Sequence, residues 1–246
     1  MVLLETLGNI VKLIASVGGL YLVALLYAQH RQPAWVDTLR ARRIHVLWLL
    51  VLTSLSIKIV EDVVTGDSGT IDRALLIFLR AHLAGAQPIF EAVTLSGSAE
   101  VLTPLTLGTC LALALSRRRQ EAALVGTSVI SAAVLVYVVK LVVGRQRPAL
   151  WETARYWGAS FPSGHTLVVA AFSMSMALAL SGMKPAARTA LLTIASLWTV
   201  LVAISRLVLG VHWPTDVLVA ALAGTAIPLG ISLLMTHALQ VKAQRP

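Results

Sequence analysis

The chain has 246 residues, 57% of them hydrophobic and only 13% charged, with a mean hydropathy of +0.83. This excludes an ordinary soluble domain and places the chain in the helical membrane class. A formal charge of +9 raises nucleic acid as a partner, but the basic residues sit mostly in short loops between apolar runs, where membrane topology accounts for them. Nucleic-acid binding is therefore not expected. The single cysteine, Cys110, lies inside an apolar run; it allows no internal disulfide and reads as a small core residue.

Taken in order, seven apolar stretches approach the length needed to cross roughly 30 Å of hydrocarbon, about 20 helical residues. They are 7–28, 44–64, 92–116, 122–143, 164–182, 186–209 and 215–239. The first is long and is led by Glu5 rather than a basic cluster, which argues against a cleavable signal. Between the second and third runs, residues 71–83 carry Leu75, Leu76, Leu79 and Leu83 at helical spacing with charges elsewhere. That segment is too short to span and reads as an amphipathic helix in the interface. The predicted fold is thus all-α, a polytopic transmembrane bundle with seven spans and one short interfacial helix, divided into 1–43 (first span and loop) and a core of 44–246.

Basic residues orient the bundle. Arg31, Arg40, Arg42, Arg43, Arg117, Arg118, Arg119, Lys184, Arg188, Lys242 and Arg245 all fall on one side if every run crosses. By the positive-inside rule that side is the cytoplasm, with the N-terminus outside. The opposite loops hold Asp62, Asp67, Asp72 and Glu91. Among polar residues within or near the runs, Lys58, Glu61 and Asp62 have the spacing of a local ion pair, and Pro104 is expected to kink its helix. His30, His45, His82 and His237 read as interfacial, and Lys12 as snorkelling.

Three segments resist such readings. Lys140 to Pro148 closes the fourth run; Lys140 and Arg147, seven apart, project on nearly one helical face. A lysine this deep in an apolar run calls for an anionic partner, whereas Arg145 suits snorkelling to headgroups. Phe161-Pro162-Ser163-Gly164-His165-Thr166 opens the fifth run, with Ser163 as a natural N-cap and Gly164 allowing close backbone approach. The first-turn amides and the helix dipole there form an anion site, with His165 beside it. Ser205 to Asp216 joins the last two runs. There His212 and Asp216 are four apart, so that the carboxylate reaches back to one ring nitrogen and leaves the other free to attack. All three segments fall at outer helix ends. Three cations (Lys140, Arg147, Arg206), a helix N-terminus and two histidines converging on one anion suit a phosphoryl group, whose transfer is catalysed by positioning and charge. No acidic cluster is present to hold Mg²⁺, so neither metal nor cofactor is expected.

Lys140-x6-Arg147-Pro148, Pro162-Ser163-Gly164-His165 and Ser205-Arg206-x5-His212-x3-Asp216 resemble the three-part signature of the type 2 phosphatidic acid phosphatase superfamily, complete at every position. The resemblance covers roughly Asp72 to Leu239, the first span being additional to a six-helix core. It implies that His212 is the nucleophile forming a phosphohistidine, that Asp216 orients it, and that His165 protonates the leaving oxygen and then assists water. It also implies that Lys140, Arg147, Arg206, Ser163 and the Gly164 amide hold the phosphoryl oxygens, without metal.

The function expected is a lipid phosphatase of the cell inner membrane, its site facing the periplasm or exterior. Its substrate would be undecaprenyl diphosphate, phosphatidylglycerophosphate or phosphatidic acid, and its partners that lipid and the membrane, with no obligate protein partner. A lipid phosphotransferase would share every catalytic residue, and a lipid or anion transporter would share the cationic pocket. The His212/His165 pair separates the transporter, because binding needs only charge. The 149–160 loop, with Trp151, Arg155, Tyr156 and Trp157, reads either as part of the mouth or as an aromatic belt.

Overall fold

A computed structural model describes residues 2–151 and 158–243, with side chains from Leu7 onward. The described residues form ten α-helices, a 3-10 turn at Ala84–Ala86 and no strand. The helices are α1 (Val2–Arg31), α2 (Ala34–Ala41), α3 (Arg43–Thr65), α4 (Gly69–Leu83), α5 (Gln87–Ser96), α6 (Ala99–Leu115), α7 (Arg119–Val143), α8 (Gly164–Ala179), α9 (Pro185–Val208) and α10 (Pro214–Ala243).

Five of these, α1, α3, α7, α9 and α10, are long and apolar enough to cross a membrane. A sixth crossing is formed if the bent pair ending in α6 counts as one span. The remaining expected run is α8, at 16 residues; at 1.5 Å per residue it is about 24 Å long, short of the roughly 30 Å hydrocarbon layer. The expected third run is broken at Gly97–Ser98, where the chain turns by 40°. Pro104, expected to supply the kink, lies inside α6. At the break the chain packs closely: a Cβ on Gly97 would lie 2.9 Å from Val202 and 3.2 Å from Val169, so glycine lets the junction press onto α9 and α8.

The short helix α8 is the centre of the bundle, packed against α7, α9 and α10. Leu167, Val169, Ala170, Ala171, Phe172, Ala177 and Ala179 are all buried along it. Within lipid, helix association depends on close packing by small residues rather than on a hydrophobic drive. Gly224 of α10 shows how close: a Cβ there would run into the Leu167 carbonyl oxygen and sit 2.7 Å from the Ala170 Cβ. This contact holds the third turn of α10 on the first turns of α8, close to where the site forms.

The two ends of the bundle differ. At one end Arg118 joins the start of α7 to the Ala179 carbonyl at the end of α8, at 2.6 Å. There α2 also packs on the last turns of α10, with Trp35 stacked on His237 at 3.7 Å between ring centroids and Thr38 bonded to Gln240. His237, read from sequence as merely interfacial, is a packing partner. The basic loops lie at this end. At the other end α7 and α9 finish and α8 and α10 begin. Helix α4 is seated there, with Leu76 fully buried against Leu207 and Val217. Leu76 and Leu79 of its apolar stripe thus face the outer turns of α9 and α10, while Leu75 is exposed.

Candidate active site

The end of α7 supplies the first cations. Gly144, left-handed at φ 59°, ends the helix with its N–H on the Lys140 carbonyl, and the chain leaves extended from Arg145. It is held against 158–160 by two bonds: the Ser160 N–H to the Arg145 carbonyl at 2.8 Å, and the Ser160 hydroxyl to the Gln146 carbonyl at 3.1 Å. The Lys140 ammonium donates to the Ala159 carbonyl. Arg147 donates to the carbonyls of Gly158 at 3.1 Å and Val211 at 2.8 Å, and its guanidinium lies 3.5 Å from His212 Nε2.

Ser163 occupies the N-cap position of α8, but its side chain makes no cap bond to the backbone. Its hydroxyl pairs instead with Thr166 Oγ1 at 3.1 Å, a partner the capping expectation did not consider. The first-turn amides, at the positive end of the helix dipole, are therefore not occupied by Ser163. The Ser163 N–H donates to the Asp216 carbonyl at 3.2 Å, tying this turn to α10. His165 lies on that turn within electrostatic reach of Arg206, His212 and Arg147, and of Glu100.

The third segment begins with Arg206, 1% exposed in the last turn of α9 and bonded to Thr94 Oγ1 of α5 at 2.7 Å. Gly210 at φ 67° reverses the chain. The Trp151 indole covers it so closely that a Cβ would fall 2.5 Å from Nε1, and the Arg80 guanidinium lies 5.2 Å from the centroid of that ring. Trp151 therefore packs into the site wall. Arg155, Tyr156 and Trp157 lie outside the described residues.

His212 follows, 2% exposed, with Nδ1 3.4 Å from Asp216 Oδ2. A carboxylate only accepts, so Nδ1 carries the hydrogen and Nε2 presents its lone pair toward Arg147. Burial is the main reason its pKa is pushed down to about 4; the bond to Asp216 opposes the shift, and Arg206 and Arg147 add to it. The imidazole is neutral at neutral pH. The structure thus brings Lys140, Arg147, Ser163, Gly164, His165, Arg206, His212 and Asp216 around one centre.

Two residues that sequence reasoning placed elsewhere belong to it as well. Arg145, assigned to headgroups, forms 2.6 Å ion pairs with both Asp72 and Asp216. Asp72, counted as a loop acid, is fully buried on α4. The signal was present: Asp72 lies one turn before Leu76, a carboxylate on the apolar stripe, which costs free energy unless paired. Thr94, the partner of Arg206, left no signal in its apolar run.

The fold and these segments have counterparts. The PAP2 superfamily profile matches residues 121–239. Phosphatidylglycerophosphatase B of Escherichia coli K12 is 41% identical over 70 residues, 28% of this chain and 26% of that protein; the Shigella flexneri protein of the same name matches equally. The matched segment thus spans about a quarter of those relatives. Among solved structures, a transmembrane PAP2-type phosphatidylglycerophosphate phosphatase from Bacillus subtilis superposes with a TM-score of 0.68 at 23% identity, covering 80% of this chain and 98% of that one. LpxE of Aquifex aeolicus gives 0.53 at 24% identity, covering 66% and 93%. Both likenesses concern the fold. With the signature segments gathered on one centre, residues 121–239, just under half of the chain, match the PAP2 superfamily.

Proposed function

We propose that the chain is a membrane lipid phosphatase that hydrolyses a phosphomonoester or diphosphate of a lipid without a metal. The observation that carries this reading is the placement of His212, a neutral imidazole with Nδ1 on Asp216 and Nε2 beside Arg147. In the proposed reaction the substrate's phosphoryl oxygens replace the carbonyls of Gly158 and Ala159 as partners of Arg147 and Lys140. The Ser163 hydroxyl, the Gly164 N–H and Arg206 bind the remaining oxygens. His212 Nε2 forms a bond to phosphorus as the lipid oxygen leaves, and His165, protonated once the bound phosphate's charge offsets Arg206 and Arg147, gives that oxygen its proton. His165 then takes a proton from water, which attacks the phosphohistidine and releases inorganic phosphate.

The substrate class is phosphatidylglycerophosphate, phosphatidic acid or undecaprenyl diphosphate; the names of the curated relatives support the first. The basic loops at the end opposite the site support a site on the periplasmic side of the inner membrane. Every group the reaction uses comes from this one chain, so the proposed partners are the lipid substrate and the surrounding membrane. The peripheral packing of α1, on α2 and α3, supports treating 1–43 as an addition to a 44–246 core.

The test is phosphate release by purified protein from a panel of these lipids in the presence of a chelator. Release from at least one is expected; release only on addition of divalent metal, or none from any, overturns the proposal. For orientation, Ala149→Cys in a Cys110→Ser background should react with an impermeant thiol reagent on the periplasmic side; labelling only after inner-membrane lysis contradicts it.

A further inference from the structure

We propose that Arg145 and Asp72 act as positioning residues, a buried clamp that sets the plane of the Asp216 carboxylate and through it the orientation of His212. The inference rests on the hydrolytic reading for its consequence, although the clamp itself is geometric.

The distances rank the contacts. Asp216 Oδ1 receives Arg145 at 2.6 Å and Oδ2 receives the Trp213 N–H at 2.8 Å, whereas His212 Nδ1 stands at 3.4 Å. Charge-assisted bonds of the shorter length are the strong ones. They fix the carboxylate, and the histidine contact follows from where they leave Oδ2.

Arg145 is fixed in its turn. Its other nitrogen meets Asp72 Oδ2 at 2.6 Å and Ser68 Oγ at 3.3 Å, and the guanidinium lies 5.4 Å from the Trp213 ring centroid. Asp72 also accepts the Thr215 N–H at 2.9 Å and the Thr215 hydroxyl at 2.7 Å. One carboxylate on α4 thus caps the first turn of α10 from across the chain and holds the arginine that holds Asp216. Two fully buried carboxylates share one guanidinium with a side chain 16% exposed. Loss of the arginine would leave both without their shared cation.

The experiment is a double-mutant cycle with a spectroscopic arm, on full-length protein. Arg145→Ala should lower kcat by on the order of tenfold to a hundredfold with KM nearly unchanged, as expected for a misplaced nucleophile. Arg145→Lys should recover part of the loss, since one ammonium cannot bridge both acids as the planar fork does. If Arg145 works through Asp216, the double variant with Asp216→Asn will be no slower than Asp216→Asn alone; fully additive losses overturn the clamp. Asp72→Asn, nearly isosteric, should change kcat in the same direction and serves if Arg145→Ala does not fold; wild-type kcat in Asp72→Asn overturns Asp72's part.

In ¹⁵N-histidine spectra, the His212 signal, assigned by its loss in His212→Ala, should show an Nδ1–H tautomer in the wild type and a mixture in Arg145→Ala or Asp72→Asn. An unchanged tautomer in the variants overturns the proposal. This arm needs no turnover. A wild type inactive on every lipid would therefore remove the phosphatase reading and leave the clamp to be decided by the spectra.

Discussion

Helices α1 and α10 are both 30 residues long and nearly equally apolar, yet 6% of the apolar window of α1 is buried against 44% for α10. Hydropathy measures fitness for lipid, which both helices have. Burial is decided by how closely a neighbour's backbone can approach. In α10, Ala220, Gly224 and Ala226 are buried, and Gly224 touches the backbone of α8. In α1, Gly18 and Gly19 have nothing within 4 Å of a built Cβ, and Ile10, Ile14, Leu22 and Val23 face outward. Small residues matter where a neighbour fills the space they leave.

The same substitution in the two helices sharpens this contrast. Gly224→Ala drives a methyl into the Leu167 carbonyl and should cost about 1–3 kcal/mol as an overpacking change. It should also separate His165 from His212, so that phosphate release falls far more than thermal stability. Wild-type activity and melting temperature in this variant would refute the close α8–α10 contact. Gly210→Ala comes next. The left-handed φ of 67° and the Trp151 indole oppose a side chain there, at a strain cost of about 1–3 kcal/mol. A lowered melting temperature is expected, with relief when Trp151 is also shortened.

The pH dependence of stability reads the His212 end of α10. Its pKa is lower in the folded protein, about 4, than the roughly 6.5 of an unfolded histidine. Between those values the unfolded chain binds the extra proton, so stability is fully present above pH 6.5 and is lost as pH falls toward 4. His212→Gln should flatten that part of the curve; an unchanged slope would contradict the burial assigned to His212. The smallest effect belongs to α1. Gly19→Ala should leave turnover unchanged and stabilise by at most about 1 kcal/mol through helix propensity. A large loss there would place α1 in the functional core.

Sequence patterning carried the order of the helices and the eight residues that meet at the site, because each lies in a motif whose chemistry conflicts with an apolar setting. It failed where the deciding contact is long-range. Arg145 follows a helix end, where snorkelling is always available; only the fold brings Asp72 and Asp216 within reach of it. Ser163 has the right type and position for a cap, yet Thr166 three residues on competes for the hydroxyl. The break at Gly97–Ser98 packs on Val202, more than a hundred positions away, whereas Pro104, the local kink signal, is accommodated within α6. Deep polar residues were legible from cost alone; their partners were not.

The most direct test is to trap the reaction by rapid quench with phosphorus-labelled lipid substrate and locate the label. The account predicts an acid-labile, base-stable phosphoryl group on His212, formed as fast as turnover and absent, together with turnover, in a folded His212→Ala variant. A phosphoryl group on another side chain, or undiminished phosphate release by His212→Ala, would contradict it.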